Sequence, residues 1–318
     1  MNAEYAFAVA PMLERTDRHF RYFFRLISQG TRLYTEMVVD QAILRGDRAR
    51  LLSHRPEERP LALQIASREP KAAAEAAKLA LPYGFDEINL NVGCPSEKSQ
   101  QMGIGAVLFR EPERVAAIHE AVYAETGVPL TVKHRLGLDE DEGYAPLARF
   151  VERVARAGVR VFIVHARKAL LALSTRKNRE VPPLRHDLVH RLKRDFPELT
   201  IVTNGGIQTL AEVRHHLAHV DGTMVGRAAY EDPWRFSRVD AEVFGLARYP
   251  ERCQVARRML AYLEEELAQG TPGRAVVRHL VPLFRGVRGA RAWRRALTEG
   301  PATPEALEHA LAFVECSK

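Results

Sequence analysis

Glu87-Ile-Asn-Leu-Asn-Val-Gly-Cys-Pro95 is the stretch on which the fold turns. Its residues alternate, so Ile88, Leu90 and Val92 share one face of a strand and Asn89 and Asn91 the other. Gly93 and Pro95 cannot continue a paired strand, which puts Cys94 in a loop at the strand's C-terminal end. The segment reads as a strand that delivers a thiol. Asn91 projects an amide on the polar side, and Gly103 and Gly105 downstream give backbone freedom for a loop that moves over a ligand. A free cysteine is more often a small buried hydrophobe than a catalyst, so the reading depends on the company Cys94 keeps.

Working outward, seven further apolar runs rich in β-formers resemble this one, at 5–9, 33–36, 61–65, 130–133, 161–164, 200–203 and 222–225. Alanine-rich amphipathic stretches such as 71–81, 112–124, 145–157 and 209–217 lie between them at helical spacing. Eight βα units in about 230 residues predict a (β/α)8 TIM barrel, a fold of typically ~250 residues. The alternative, a doubly wound open sheet, lacks a Gly-x-Gly-x-x-Gly after its first strand. After Tyr230-Glu-Asp-Pro233 the rhythm stops and helical patterns take over, roughly at 238–245, 250–268, 272–286, 288–299 and 303–316. Thr303 and Pro304 fit the cap and first position of the last helix. The expected organisation is a barrel at 1–235 and a small all-helical domain at 236–318.

Barrel strands present their C-terminal ends to the active site. Here those ends carry Pro11 and Met12, Glu36, Gln64, Asn91 with Cys94, Lys133 with Arg135, His165 with Arg167, Asn204-Gly205-Gly206 and Gly226-Arg227. The last two sets occupy the slot where barrels often bind phosphate: glycines let backbone N–H groups approach, and an arginine adds a charge-assisted bond. Gln64, Lys133 and His165 offer the amide, cation and imidazole that suit a flavin ring and an anion developing beside it.

The chain of 318 residues has a formal charge of +7. Between Arg274 and Arg295 stand seven arginines and no acidic residue, and Arg288, Arg291 and Arg295 at three-and-four spacing predict one basic helical face suited to a nucleic-acid backbone. No run of about 18 apolar residues and no basic-then-apolar leader is present, so a cytoplasmic protein without membrane association is expected. Three widely spaced cysteines, Cys94, Cys253 and Cys316, argue against a disulfide framework and against a structural zinc site, and no metal is expected.

Leu90-Asn-Val-Gly-Cys-Pro95, Val132-Lys-His-Arg-Leu-Gly137, Ile163-Val-His-Ala-Arg-Lys168, Asn204-Gly-Gly-Ile207, Met224-Val-Gly-Arg-Ala228 and Gly289-Ala-Arg-Ala-Trp-Arg-Arg295 together resemble the tRNA-dihydrouridine synthases. Asn178-Arg-Glu180 with Val181-Pro-Pro183 is most similar to their A-type bacterial branch, which acts on the tRNA D-loop at positions 20 and 20a. The resemblance implies a barrel holding FMN, a nicotinamide reductant (NADPH or NADH), tRNA as substrate and no obligate protein partner. It places Ala10, Pro11, Met12, Gln64, Lys133, His165, Asn204, Gly205, Gly206, Gly226 and Arg227 around the flavin, and Cys94 as proton donor. The residues expected to meet tRNA are Asn91, Arg135, Arg167, Lys168, Asn178, Arg179, Arg288, Arg291 and Arg295. His134 stands where relatives carry threonine, a change expected to be tolerated because Lys133 and Arg135 are kept.

The implied chemistry is hydride to C6 of a uracil and a proton from Cys94 to C5, with Lys133 or His165 steadying the charge and Asn91 or Arg135 reading the base edge. A cysteine of ordinary pKa, ~8.5, is mostly protonated at neutral pH, so no activating base is needed. Two other readings compete: a flavin barrel reducing a free pyrimidine or an enone, and a non-catalytic RNA-binding barrel. The first has no use for residues 274–295, and the second none for Cys94 and Lys133.

Overall fold

The computed structural model describes residues 3–141 and 143–314. Strands β1 (Phe7–Val9), β2 (Leu33–Tyr34), β3 (Val38–Val39), β4 (Leu61–Ala66), β5 (Glu87–Val92), β6 (Leu130–Arg135), β7 (Val161–His165), β8 (Thr200–Asn204) and β9 (Gly222–Val225) are all parallel. Their order, β1-β9-β8-β7-β6-β5-β4-β2, closes where Val9 N–H donates to Arg32 O at 3.0 Å and Arg32 N–H to Phe7 O at 3.1 Å. This is a (β/α)8 barrel, and each of the eight expected runs overlaps one of its strands. The second position is interrupted: β2 and β3 both pair with β4, but the register slips by one residue between them, making a bulge at Thr35–Met37. The bulge rotates Met37 toward the barrel mouth. Glu36, the strand end expected from the sequence, instead accepts the N–H of Glu14 outside the cavity lining.

The alternation in β5 follows from what each face meets. Ile88, Leu90 and Val92 point outward into one core with Ala73, Ala76, Ala77 and Ala80 of helix Pro70–Ala80 and with Val115, Ile118 and Val122 of helix Pro112–Thr126. Small alanines let these two helices lie close over the sheet. Helices Ala145–Arg156 and Leu210–Leu217 also fall within a residue or two of their expected bounds. His134 points into the same outer core among Phe109, Phe150 and Phe162, where burial pushes its imidazole down to about 4. A neutral ring there fills space in the outer core, on the opposite face of β6 from Lys133 and Arg135.

Inward, the barrel is half apolar and half polar. Tyr5, Ala8, Ala10, Tyr34, Ala62, Ile163, Val202 and Met224 form the apolar half. Opposite them, Gln64 donates to Asn89 Oδ1 (2.7 Å), Asn89 to Thr131 Oγ1 (2.7 Å), and Thr131 to Glu87. Glu87 also accepts from Tyr34 (2.9 Å) and from Arg32 (3.2 Å).

Beyond Pro233 the described regular elements are all helical, with Val239–Glu242, Arg252–Ala268, Gly273–Val277, Ala290–Glu299 and Pro304–Leu311 the α-helices. Thr303 caps the last, accepting Ala306 N–H at 3.4 Å, with Pro304 at its first position as expected. The helix expected at 272–286 stops at Val277: Pro282 has no N–H to continue it, and Gly286 and Gly289 are left-handed. At Gly289 a Cβ would meet Phe313 O at 1.8 Å, so only glycine fits. Arg288 therefore precedes the helix, and its expected sharing of one helical face with Arg291 and Arg295 is corrected: those two alone lie on Ala290–Glu299. Arg295 is moreover paired with Glu299 at 3.0 Å, so the face does carry an acidic partner. Arg274 caps that helix's C-terminus by donating to Leu297 O and Gly300 O, and Trp293 is buried with Nε1 donating to Leu280 O at 3.1 Å. Cys253 is disulfide-bonded, a single bridge the sequence reading did not anticipate, and Cys316 lies outside the described residues. Among the described residues no helix is long and apolar enough to cross a membrane.

The helical region docks on helix Arg18–Ile27. Phe20, Phe23 and Phe24 share a core with Val255, Met259, Leu263 and Val276, and Tyr22 stacks on Tyr262 at 4.2 Å. Asp17 caps the Arg18–Ile27 helix through His19 N–H (3.1 Å) and Phe20 N–H (2.9 Å), and its other oxygen holds Arg278 and His279. Arg18 and Arg55 both reach the buried Glu266, at 2.6 and 3.1 Å.

Because Arg32 is the cation that compensates the buried Glu87, Arg32→Met is expected to destabilise the chain by about 3–5 kcal/mol in urea unfolding, the usual consequence of stranding a buried charge. A loss under about 1 kcal/mol would show that Glu87 is held without its partner.

Candidate active site

The strand ends open into a cavity of about 490 Å³. Cys94 and all eleven residues assigned by resemblance to the flavin line it, as do Asn91, Arg135, Arg167 and Arg179 from the tRNA set. Lys168, Asn178, Arg288, Arg291 and Arg295 do not. Asn178 is 0 % exposed, and its amide holds the loop around itself, donating to Leu170 O and Leu173 O at 2.8 Å and accepting Leu170 N–H at 2.8 Å. The side chain is spent on shaping the loop that carries Arg179 and is offered to neither cavity nor surface.

Asn91 fixes the thiol. Its Oδ1 accepts the N–H groups of Gly93 (3.0 Å) and Cys94 (2.9 Å), turning the chain as β5 ends, and its Nδ2 donates to Gln64 Oε1 at 2.8 Å. From below, Ala106 N–H donates to Cys94 O at 2.8 Å, and Gly105, at φ +73°, lets the backbone pass where a Cβ would lie 2.5 Å from that oxygen. Gly105 thus serves close approach to the thiol loop. Cys94 is a half-buried free thiol at the cavity wall.

Arg135, also expected to read a base edge, is buried and donates to Gly93 O (2.9 Å), Lys168 O (3.1 Å) and Asn178 O (3.2 Å), tying the thiol loop to its neighbour. Burial pushes its guanidinium down to about 10, with Arg167 and Arg179 adding to the shift and Cys94 opposing it. Lys133 Nζ donates to Asn204 Oδ1 at 3.2 Å, and Asn204 is itself held by Met224 O at 2.7 Å. Burial pushes the Lys133 ammonium down to about 7; Arg135 adds to the shift and Cys94 opposes it. His165 is driven well below its ordinary range by burial, then by Arg135, Lys133 and Arg167.

Eight lysines and arginines line the cavity against two carboxylates, Glu231 and Asp232. Three of the cations, Arg15, Arg235 and Arg285, were not singled out from the sequence. Arg285 lies in the arginine run, but a turn and not a helix brings it to the mouth, where it donates to Glu231 O at 3.3 Å. In the notch at the ends of β8 and β9, Gly205 and Gly206 are left-handed (φ +112° and +72°), and a Cβ on Gly226 would stand 3.7 Å from both Ala10 Cβ and Met12 Sδ, narrowing the cavity floor.

A (β/α)8 barrel with a fixed thiol, a desolvated lysine and a glycine-lined cationic notch at its strand ends is an enzyme framework built for an anionic ligand. The chain belongs to the dihydrouridine synthase family, whose model matches residues 8–317. It is 48 % identical over 310 residues to the tRNA-dihydrouridine(20/20a) synthase of Synechocystis sp., covering 96 % of this chain and 93 % of that one. It is 47 % identical to the proteins of the same name from Vibrio cholerae (96 % of each chain) and Escherichia coli K12 (97 % and 91 %).

The Lys133 environment makes a pH prediction for the ligand-free chain. Its folded-state pKa lies below that of the unfolded chain, so the penalty for burying the ammonium is full below pH 7 and fades as pH rises toward about 10.4. Lys133→Met is therefore expected to raise the melting temperature most at pH 6, with the gain shrinking steadily toward pH 10. A gain independent of pH would place the lysine in water.

Proposed function

We propose that the chain reduces uridines 20 and 20a of tRNA to 5,6-dihydrouridine, with FMN resident in the cavity and NADPH or NADH as reductant. The observation that carries this is the Cys94 thiol, fixed by Asn91 on the wall of the same cavity as Lys133, His165 and the notch at Gly205-Gly206 and Gly226-Arg227. The residues present fit FMN. The notch is lined by Gly205, Gly206 and Gly226, whose backbone a phosphate can approach, Arg227 supplies its counter-charge, and Lys133, held by a single neutral amide, is left to meet an anionic ring edge. Ala10, Pro11, Met12, Gln64, His165 and Asn204 complete the wall. When bound, FMN supplies the two-electron chemistry: hydride accepted from the nicotinamide and passed to C6 of the uracil.

The chain's own work is then to bind the base, keep water out and give C5 its proton. Cys94 holds that proton on Sγ, and Lys133 and His165 steady negative charge on the uracil carbonyls as it develops. Arg179, whose Nε is buried without a hydrogen-bond partner, and Arg167 stand at the mouth for the flipped-out nucleotide. Asn91 and Arg135 serve the base mainly by holding the thiol loop. Residues 1–235 form the catalytic unit and 236–318 the unit that carries tRNA, with Arg291 and Arg295 exposed on it toward phosphates. The cytoplasm is the compartment this substrate implies.

Cys94→Ala is expected to keep its flavin and its nicotinamide oxidation while dihydrouridine formation falls by ~100-fold or more, the range for a lost general acid. Undiminished tRNA reduction in that variant would remove Cys94 from the chemistry.

The tRNA-binding face has its own test. If Arg291 and Arg295 each neutralise one phosphate, replacing both by alanine should flatten the log–log salt dependence of tRNA affinity by roughly 1.4–1.8 units, since each contact contributes ~0.7–0.9. An unchanged slope would assign that face to solvent and move the contact toward Arg167 and Arg179.

A further inference from the structure

Two hydroxyls stand behind the Cys94 sulfur. Sγ donates to Ser96 Oγ at 3.4 Å, Ser99 Oγ donates to Sγ at 3.3 Å, and the two serine oxygens are 2.8 Å apart. The directions around this triangle are set by what else Ser96 does. Its oxygen accepts Ser99 N–H at 3.2 Å as well as the thiol, which occupies both lone pairs and turns its own proton toward Ser99 Oγ. The Ser99 proton is then left for sulfur. Thiol, Ser96 and Ser99 close a ring in which each member donates to the next, an arrangement whose bonds polarise one another. Ser99 is 2 % exposed, Ser96 half-buried, and neither lines the cavity, so both act on the reaction only through Cys94.

We propose that Ser99, with Ser96 behind it, is a positioning residue that fixes the Cys94 sulfur, keeps donating to it as the S–H turns from Ser96 toward the substrate, holds the thiolate left after proton transfer, and returns a proton to it from the side away from the substrate. The proposal rests on Cys94 being the proton donor to uracil C5. In that step the S–H bond breaks, the C5–H bond forms and sulfur keeps the electron pair, while the hydride arriving at C6 completes saturation of the C5–C6 bond. The sulfur anion is met by a hydroxyl already pointing at it, and hydrogen bonds to a charged acceptor are about twice as strong as neutral ones. Regeneration moves one proton from Ser99 to sulfur, one from Ser96 to Ser99 and one from water to Ser96, so the net source is solvent. A base seated over Cys94 on the cavity side leaves this route open.

The test compares Ser99→Ala, which deletes the hydroxyl without adding bulk, with Ser99→Thr, which keeps it. The flavin-loaded enzyme is first reduced with NADPH, and one turnover of dihydrouridine formation is followed on tRNA. Ser99→Ala is expected to be slower by ~10-fold or more and Ser99→Thr to recover most of that loss. Independently of flavin and tRNA, iodoacetamide alkylation of Cys94 at pH 7, read by mass spectrometry of its peptide, should slow about three- to tenfold in Ser99→Ala, because a less stabilised thiolate is less populated. In a Cys94→Ala background the serine substitution should have no further effect on residual tRNA reduction. An alkylation rate and a turnover in Ser99→Ala equal to wild type overturn the proposal, and the alkylation result decides alone if Ser99→Thr does not fold. A wild-type chain that makes no dihydrouridine overturns the functional reading instead, and the alkylation comparison still judges the ring.

Discussion

One amide, that of Asn91, sits where the barrel's interior polar network meets the Cys94 thiol. Its oxygen turns the chain at Gly93 and Cys94, and its nitrogen joins it to Gln64, from which hydrogen bonds run through Asn89 and Thr131 to Glu87 and its partners Arg32 and Tyr34. A polar group buried without a partner costs about 1–3 kcal/mol, so a network this deep persists only when each member satisfies the next. The same requirement makes it stiff: Asn91 cannot rotate without stranding Gln64. The sulfur's position is thereby referred to the strand pairing at the far end of the barrel, a support shell of the kind a catalytic group needs to stay within a fraction of an ångström of its working geometry.

The electrostatics of the cavity are unresolved by design of its composition. Its eight cations face only Glu231 and Asp232, and Asp232 is already paired with Arg235 at 3.0 Å. In a cleft with low-dielectric walls such an excess focuses positive potential, attracting anions and depressing the charge of the groups within. Lys133 and His165 register that pressure directly, both held below their ordinary values by burial first and by neighbouring cations second. An anionic ligand relieves it. The site is therefore least comfortable alone and most stable when occupied, which is how differential binding is built into a fold.

The parts of this organisation legible in the sequence are those governed by short-range periodicity. Period-two alternation in residues 87–92 located the strand, its outward and inward faces and the thiol, because each residue's face depends only on its neighbours. The strand ends at Gln64, Asn91, Lys133, His165, Asn204 and Gly226 converge on one cavity as the barrel topology demands. What could not be read depends on contacts distant in sequence. The bulge that replaces Glu36 by Met37 arises from two registers against β4. Asn178 looks like an exposed polar residue until the loop folds around it, and Arg288 looks helical until Gly289 is pressed against Phe313. That Arg135 braces the loops was not legible, since three carbonyls from separate loops come within its reach only in the folded chain.

The same long-range logic governs how the helical region relates to the barrel. Asp17 serves two structures at once: one oxygen caps helix Arg18–Ile27, and the other holds Arg278 and His279. Those bonds keep its carboxyl well below the usual range despite burial, so the contact is charged across the neutral pH range. Around it the Phe20, Phe23 and Phe24 side chains merge with Val255, Met259 and Leu263 into one apolar core, and Glu266 is shared by Arg18 and Arg55. An attachment with a continuous core and ion pairs onto a buried Glu266 does not swing as a tethered module would. It sets the distance between helix Ala290–Glu299 and the cavity, and it carries Arg285 to the cavity mouth. A small-molecule reductase has no need of a second surface held at fixed range from its thiol. A tRNA whose backbone rests on one part of the protein while one base enters another does, because error in that distance becomes error in where the base meets Cys94.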